Sequence, residues 1–144
     1  VADAFLQRQD NSHPEERLTA AAYSTDATSS RPLAASVDDK GRLRVWELDK
    51  YPLGQQPPVT AEPLLAREHQ RRALHAVAFV QGTRVVVACD DGALHLHDAK
   101  HTDREAVSVQ LPHGDVPLSL GVSPDGRELV VGTARGLVLR YAVK

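Results

Sequence analysis

Three stretches of this chain repeat one pattern. Leu33–Glu47, Val85–Asp98 and Leu129–Ala142 each run from apolar residues into a turn closed by glycine, then into a second run. The turn glycines Gly41, Gly92 and Gly136 stand 51 and 44 residues apart, and each is followed five residues later by Trp46, His97 or Tyr141. A period of this size means a supersecondary unit that cannot bury its own face and must stack on its neighbours. Each unit reads as a β-hairpin, because glycine tolerates the positive φ that such turns require. Val85–Cys89 is continuously apolar, as expected of a strand covered on both faces. The strands after the glycine alternate better, with Leu43 and Val45 against Arg42 and Arg44.

Two more strands per unit follow from the flanking residues. Ala20–Tyr23, Ala76–Val80 and Leu118–Val122 form a preceding strand of small and apolar residues, suited to a crowded place where strands converge. Pro63–Arg67 and Ala106–Leu111 form a following one, and Ala4–Arg8 occupies the same phase ahead of the first unit. His13, His69 and His113 precede the three preceding strands at nearly constant spacing. The expected organisation is one all-β domain of four-stranded antiparallel units. Residues 1–10 are an orphan fourth strand, 11–67 the first unit, 68–111 the second, and 112–144 the first three strands of the third.

The phrase Val122-Ser-Pro-Asp-Gly-Arg127 before the third hairpin resembles the WD-repeat (Trp-Asp repeat) β-propeller family. So do the acids Asp38-Asp39 and Asp90-Asp91 and the dipeptides Trp46-Glu47 and His97-Asp98. The resemblance implies blades around an axis, and in each blade a structural hydrogen-bond network of histidine, hydroxyl, turn acid and tryptophan. Mapped onto this chain, the first unit offers His13, Ser36 (one position early), Asp39 and Trp46. The second offers His69 and Asp91, with Cys89 and His97 in place of the preferred types. The third offers His113, Thr133 and Tyr141, with Arg135 where an acid is expected. On this mapping Cys89 aligns with Val37 and Thr133, as a small buried residue. A propeller takes roughly four to eight blades. Three units therefore expect further blades, either from a longer chain, which the absence of methionine favours, or from another copy that shares the terminal strand.

The functional expectation is a non-catalytic scaffold that presents loops to partner proteins. The long connections Ser24–Pro32 and Asp49–Thr60 of the first unit emerge on one side, with Tyr51 and Leu53 as an apolar spot beside Arg31 in a polar rim. The opposite side carries Arg71 and Arg72 with Asp38, Asp90, Asp115 and Arg135. The alternative is a self-assembling ring, for example a six-bladed dimer, that holds a peptide or small ligand on its loop face. An enzyme is the weaker reading, because no phosphate loop, His-Glu-x-x-His or Gly-x-Ser-x-Gly motif is present. Seventeen Lys+Arg against 19 Asp+Glu give a net charge of −2, which argues against a nucleic-acid binder. No apolar run approaches the roughly 20 residues of a membrane helix. One cysteine excludes an internal disulfide, and an intracellular site, cytoplasmic or nuclear, is expected. His95, His97 and His101 raise a metal site, but His97 sits at the tryptophan position and His95 matches Arg44, so no metal or cofactor is expected.

Overall fold

A computed structural model describes residues 17–24, 32–48, 62–81 and 83–144. The expected strand at 4–8, both long connections, and His13, Arg31, Tyr51 and Leu53 lie outside the described residues. Among the described residues eleven strands form three antiparallel sheets, and there is no α-helix. Sheet one has the order β1 (Leu18–Tyr23), β2 (Leu33–Asp38), β3 (Arg42–Glu47), β4 (Leu65–Glu68). Sheet two repeats it with β5 (Leu74–Phe79), β6 (Arg84–Cys89), β7 (Ala93–Asp98) and β8 (Val107–Gln110). Sheet three has β9 (Pro117–Val122), β10 (Glu128–Thr133) and β11 (Val138–Ala142). The all-β architecture and the meandering strand order are those expected from the sequence. The fourth strands are shorter than the apolar runs that announced them.

Register fixes which residues of the units are equivalent. Val37 pairs with Leu43, Ala88 with Leu94, and Gly132 with Val138, and the turn glycine follows the first member of each pair by four residues. Cys89 and Thr133 therefore share a place, but its counterpart in sheet one is Asp38, not Val37. Asp39 matches Asp90, while Asp91 matches Lys40 and Arg135. The sequence alignment slid the first turn by one residue because Asp38-Asp39 and Asp90-Asp91 look alike. Since side chains alternate with period two, that slip reverses the face assigned to each residue.

The sheets stack face to face with their first strands nearest one another, β1 against β5 and β5 against β9. Alanine at positions 20, 22, 76 and 78 permits that approach. One apolar cluster fills the space between sheets one and two, with Leu33, Val37, Leu43, Val45 and Leu65 meeting Leu74, Phe79, Val85 and Val87. A second joins Val86, Ala88 and Leu94 of sheet two to Leu129 and Val131 of sheet three. Strand β6 thus sends Val85, Val87 and Cys89 one way and Val86 and Ala88 the other, which is why its sequence is apolar without a break. Each such valine contributes about 1.5–3 kcal/mol by leaving water.

The turn glycines do more than bend the hairpins. Gly41 has φ +87°, and its carbonyl accepts a hydrogen bond from the His69 N–H at 2.8 Å. A Cβ at Gly41 would lie 2.7 Å from the Arg72 carbonyl and 2.8 Å from that of His69. Gly92 repeats the arrangement, accepting from Leu111 N–H at 3.0 Å. Gly136 has φ +83° but open space where a Cβ would go. Gly136→Ala should therefore cost only the left-handed backbone strain, about 1–2 kcal/mol. Gly41→Ala should cost at least about 1 kcal/mol more, because two backbone carbonyls must also move. Urea denaturation of the two variants measures the difference, and equal costs would show that the loop does not rest on the turn.

Candidate functional site

The densest polar grouping lies where sheet one hands the chain to sheet two. His95 and His97 alternate along β7 opposite Val87 and Val85, so both rings face sheet one. His69, in the loop between β4 and β5, is set there by its bond to the Gly41 carbonyl. Its ring stacks on His95 with centroids 4.5 Å apart and meets His97 edge-on at 5.0 Å. Nε2 of His69 and Nε2 of His97 are 2.9 Å apart, one donating and the other accepting. His95 is held at both nitrogens, with Nε2 2.9 Å from Asp91 Oδ2 and Nδ1 2.7 Å from Ser108 Oγ. The second Asp91 oxygen accepts the Ala93 N–H at 2.9 Å.

Burial, reinforced by the neighbouring imidazoles, pushes His69 and His97 down from 6.5 to about 4. Both rings are therefore neutral at pH 7, with one Nε2 carrying the shared proton and the other accepting it. Burial also pushes the Cys89 thiol up to about 11, with the Asp91 and Asp90 charges adding to it. Cys89 is thus held as a thiol beside the Asp91 carboxylate, not a poised nucleophile. His97, 6% exposed, takes the buried place that Trp46 holds in sheet one at 4%.

The equivalent corners of the other sheets are built differently. In sheet three the expected His113 is exposed, at φ +60° inside a 3-10 turn, Pro112–Gly114. Asp115, from the same loop, reaches inward instead and is 2% exposed. Burial opposes its charge, but the Thr133 hydroxyl beside it, and the Val116 and Arg135 N–H groups bonded to Oδ1 at 2.8 and 3.2 Å, hold the carboxyl below its usual range. In sheet one the buried side chain is Asp38, whose Oδ1 accepts N–H bonds from Lys40 at 3.0 Å and Arg42 at 2.8 Å. Asp38 and Asp115, expected on a partner-binding surface, are therefore interior and hold turns together. Asp39 is half-buried in its turn, and Ser36 is buried opposite Arg44. Tyr141 is half-buried against the second apolar cluster. Arg71, Arg72, Asp90 and Arg135 are exposed on the loops and turns of one end, and Asp90 meets His75 at 2.9 Å. His101 bonds to Asp98 and does not join His95 and His97.

Sheet three carries the other feature with functional content. Leu43, Leu94 and Val138 occupy one register position, two residues after the turn glycine, yet their exposures are 0%, 5% and 78%. Ala35, Val86 and Val130 are likewise equivalent and are 1%, 5% and 43% exposed. In sheets one and two this face is covered by the following sheet. In sheet three nothing among the described residues covers it, and Val130 and Val138 form an apolar flank towards the β11 side of the sheet.

Comparison with known proteins bears on the fold alone. No family model and no curated protein matches the chain. Among solved structures the chain is similar to the crystal structure of the computationally designed Ika8 protein, with a TM-score of 0.61 and 22% identity. The match covers 88% of this chain, which spans 33% of the length of that one.

Two outcomes follow from the corner geometry. Asp115→Ala should lower the denaturation midpoint, since it leaves the Val116 and Arg135 N–H groups without their acceptor. His113→Ala should be neutral, and denaturant melts compare the two. The histidine pair sets a pH dependence. The unfolded chain takes up protons near 6.5 and the folded rings only near 4. The stability tied to these two rings should therefore be lost as pH falls through that interval, and the carboxylates below it carry the loss further. Asp91 and Asp115 are held below the usual carboxylate range and titrate beneath that interval. Thermal melts in chelator should show the slope, and His97→Phe should make it shallower.

Proposed function

We propose that this chain is a segment of a WD-repeat-like β-propeller that acts as a non-catalytic interaction scaffold. Its three sheets are blades, and its rigid stack presents loops to other proteins. The observation that carries this reading is the exposure series Leu43, Leu94, Val138. The same apolar position is written three times and is covered only where another sheet follows, so the third sheet is built to receive a neighbour. That neighbour is a further blade, supplied by a longer chain or by another copy. Among the described residues β11 has no strand on its outer side, which suits the same role.

The corner chemistry favours a scaffold over an enzyme. The buried acids Asp38 and Asp115 are spent on turn N–H groups, and the His69–His97 pair faces inward between sheets. The exposed Arg71, Arg72, Asp90 and Arg135 remain as the side chains of one end that a partner can reach.

Sedimentation of the isolated chain tests the uncovered flank. At tens of micromolar the chain should associate through this face. Val138→Glu, a charge on a residue already 78% exposed, should restore the monomer without lowering its melting temperature. A wild-type chain that stays monomeric and is indifferent to Val138→Glu would overturn the reading.

A further inference from the structure

The geometry points to a divalent transition-metal site, of the zinc class, formed by Cys89, Asp91 and His95 at the β6–β7 turn. It is separate from the flank of sheet three and does not depend on the scaffold reading. One thiol, one carboxylate and one imidazole nitrogen here all lie within 4.8 Å of one another. Tetrahedral coordination asks for ligand atoms about 3.3–3.6 Å apart, as bond lengths of about 2.0–2.3 Å imply. His95 Nε2 and Asp91 Oδ2, at 2.9 Å, already stand on the near side of that range. A modest adjustment of the thiol and carboxylate side chains therefore makes room for an ion among the three.

The surroundings match the chemistry. A mixed sulfur, nitrogen and oxygen set suits zinc or cobalt rather than calcium or magnesium, which take oxygen. Three protein ligands leave a fourth position for water. Asp91, with its side chain 33% exposed, and His95, at 12%, give the ion a path from solvent, while Cys89 closes the inner side at 0%. Ser108 supplies the outer partner that a ligating histidine normally has. Its hydroxyl sits 2.7 Å from His95 Nδ1 and can accept from an N–H there, which leaves the Nε2 lone pair for a metal. A hydroxyl can equally donate, so one serine serves both the empty and the loaded site. His69, stacked on His95 at 4.5 Å, keeps that ring in place.

Binding is then a balanced exchange. The Cys89 thiol loses its proton to solvent, the proton on His95 Nε2 is replaced by one on Nδ1, and Asp91 is already ionised. One proton leaves per ion bound. The neighbouring units lack this set, since the equivalents of Cys89, Asp91 and His95 are Asp38, Lys40 and Arg44 in sheet one and Thr133, Arg135 and Leu139 in sheet three. The site belongs to sheet two alone among the described units.

Titration of the reduced full chain with cobalt(II) tests this directly. The expected result is one equivalent bound, a near-ultraviolet thiolate-to-metal band with strong visible bands of tetrahedral cobalt, and displacement by zinc with release of about one proton. Cys89→Ala should abolish the thiolate band. His95→Gln, which keeps a polar side chain of similar length, should weaken binding at least tenfold while leaving the far-ultraviolet strand spectrum unchanged. Ser108→Ala should weaken it by about tenfold. Absence of a thiolate band in the wild-type chain, or affinity that survives both Cys89→Ala and His95→Gln, would overturn the proposal.

Discussion

Everything in this fold depends on burying the face of one sheet against the next. A single four-stranded sheet of six-residue strands cannot hide both faces, and three or more layers are needed before any sheet is covered on both sides. Among the described residues sheet two is the one that reaches that state. Its β6 strand sends alternate side chains into two different apolar clusters, so its backbone and side chains leave water together. Sheets one and three are stabilised through it, each contributing one wall of a cluster. Glycine at the hairpin turns allows the layers to approach closely at one end, because the connecting loop lies directly on the turn.

Much of this organisation was legible in the sequence. The glycine spacing located the three hairpins, and the unbroken apolar run at Val85–Cys89 located the doubly covered strand. The small residues of the first strands announced the crowded side of the stack. What was not legible was the register within the first turn. Two adjacent acids occur in both of the first two turns, and nothing local says which acid is which. Only the pairing of Val37 with Leu43 against Ala88 with Leu94 shows that Asp38 stands where Cys89 does.

The corner residues show why a shared motif did not dictate shared contacts. The spacing of His69 and His113 from the following strands looks alike, yet the loop before β9 turns its histidine to solvent and its aspartate inward. The loop is shaped by Pro112 and by positive φ at His113 and Gly114, and the hydroxyl of Thr133 across from it needs an acceptor. In sheet two the partner is a histidine because the opposite residue is another imidazole, His97. The Cys89–Asp91–His95 grouping is no more visible in the repeat than the register is. With Cys89 assigned to the Val37 row, its relation to Asp91 and His95 across one hairpin was hidden. The signal was present as Cys-x-Asp-x₃-His over a tight turn.

The central claim is that stability in this chain comes from coverage by neighbouring sheets, and is therefore uneven along otherwise similar units. Native-state hydrogen exchange on the isolated chain under monomeric conditions tests it most directly. Amides of β6, covered on both faces, should exchange only through the largest opening. Those of β10, covered on one face, should exchange at least about tenfold faster. Equal protection of β6 and β10, or slower exchange in β10, would contradict the account.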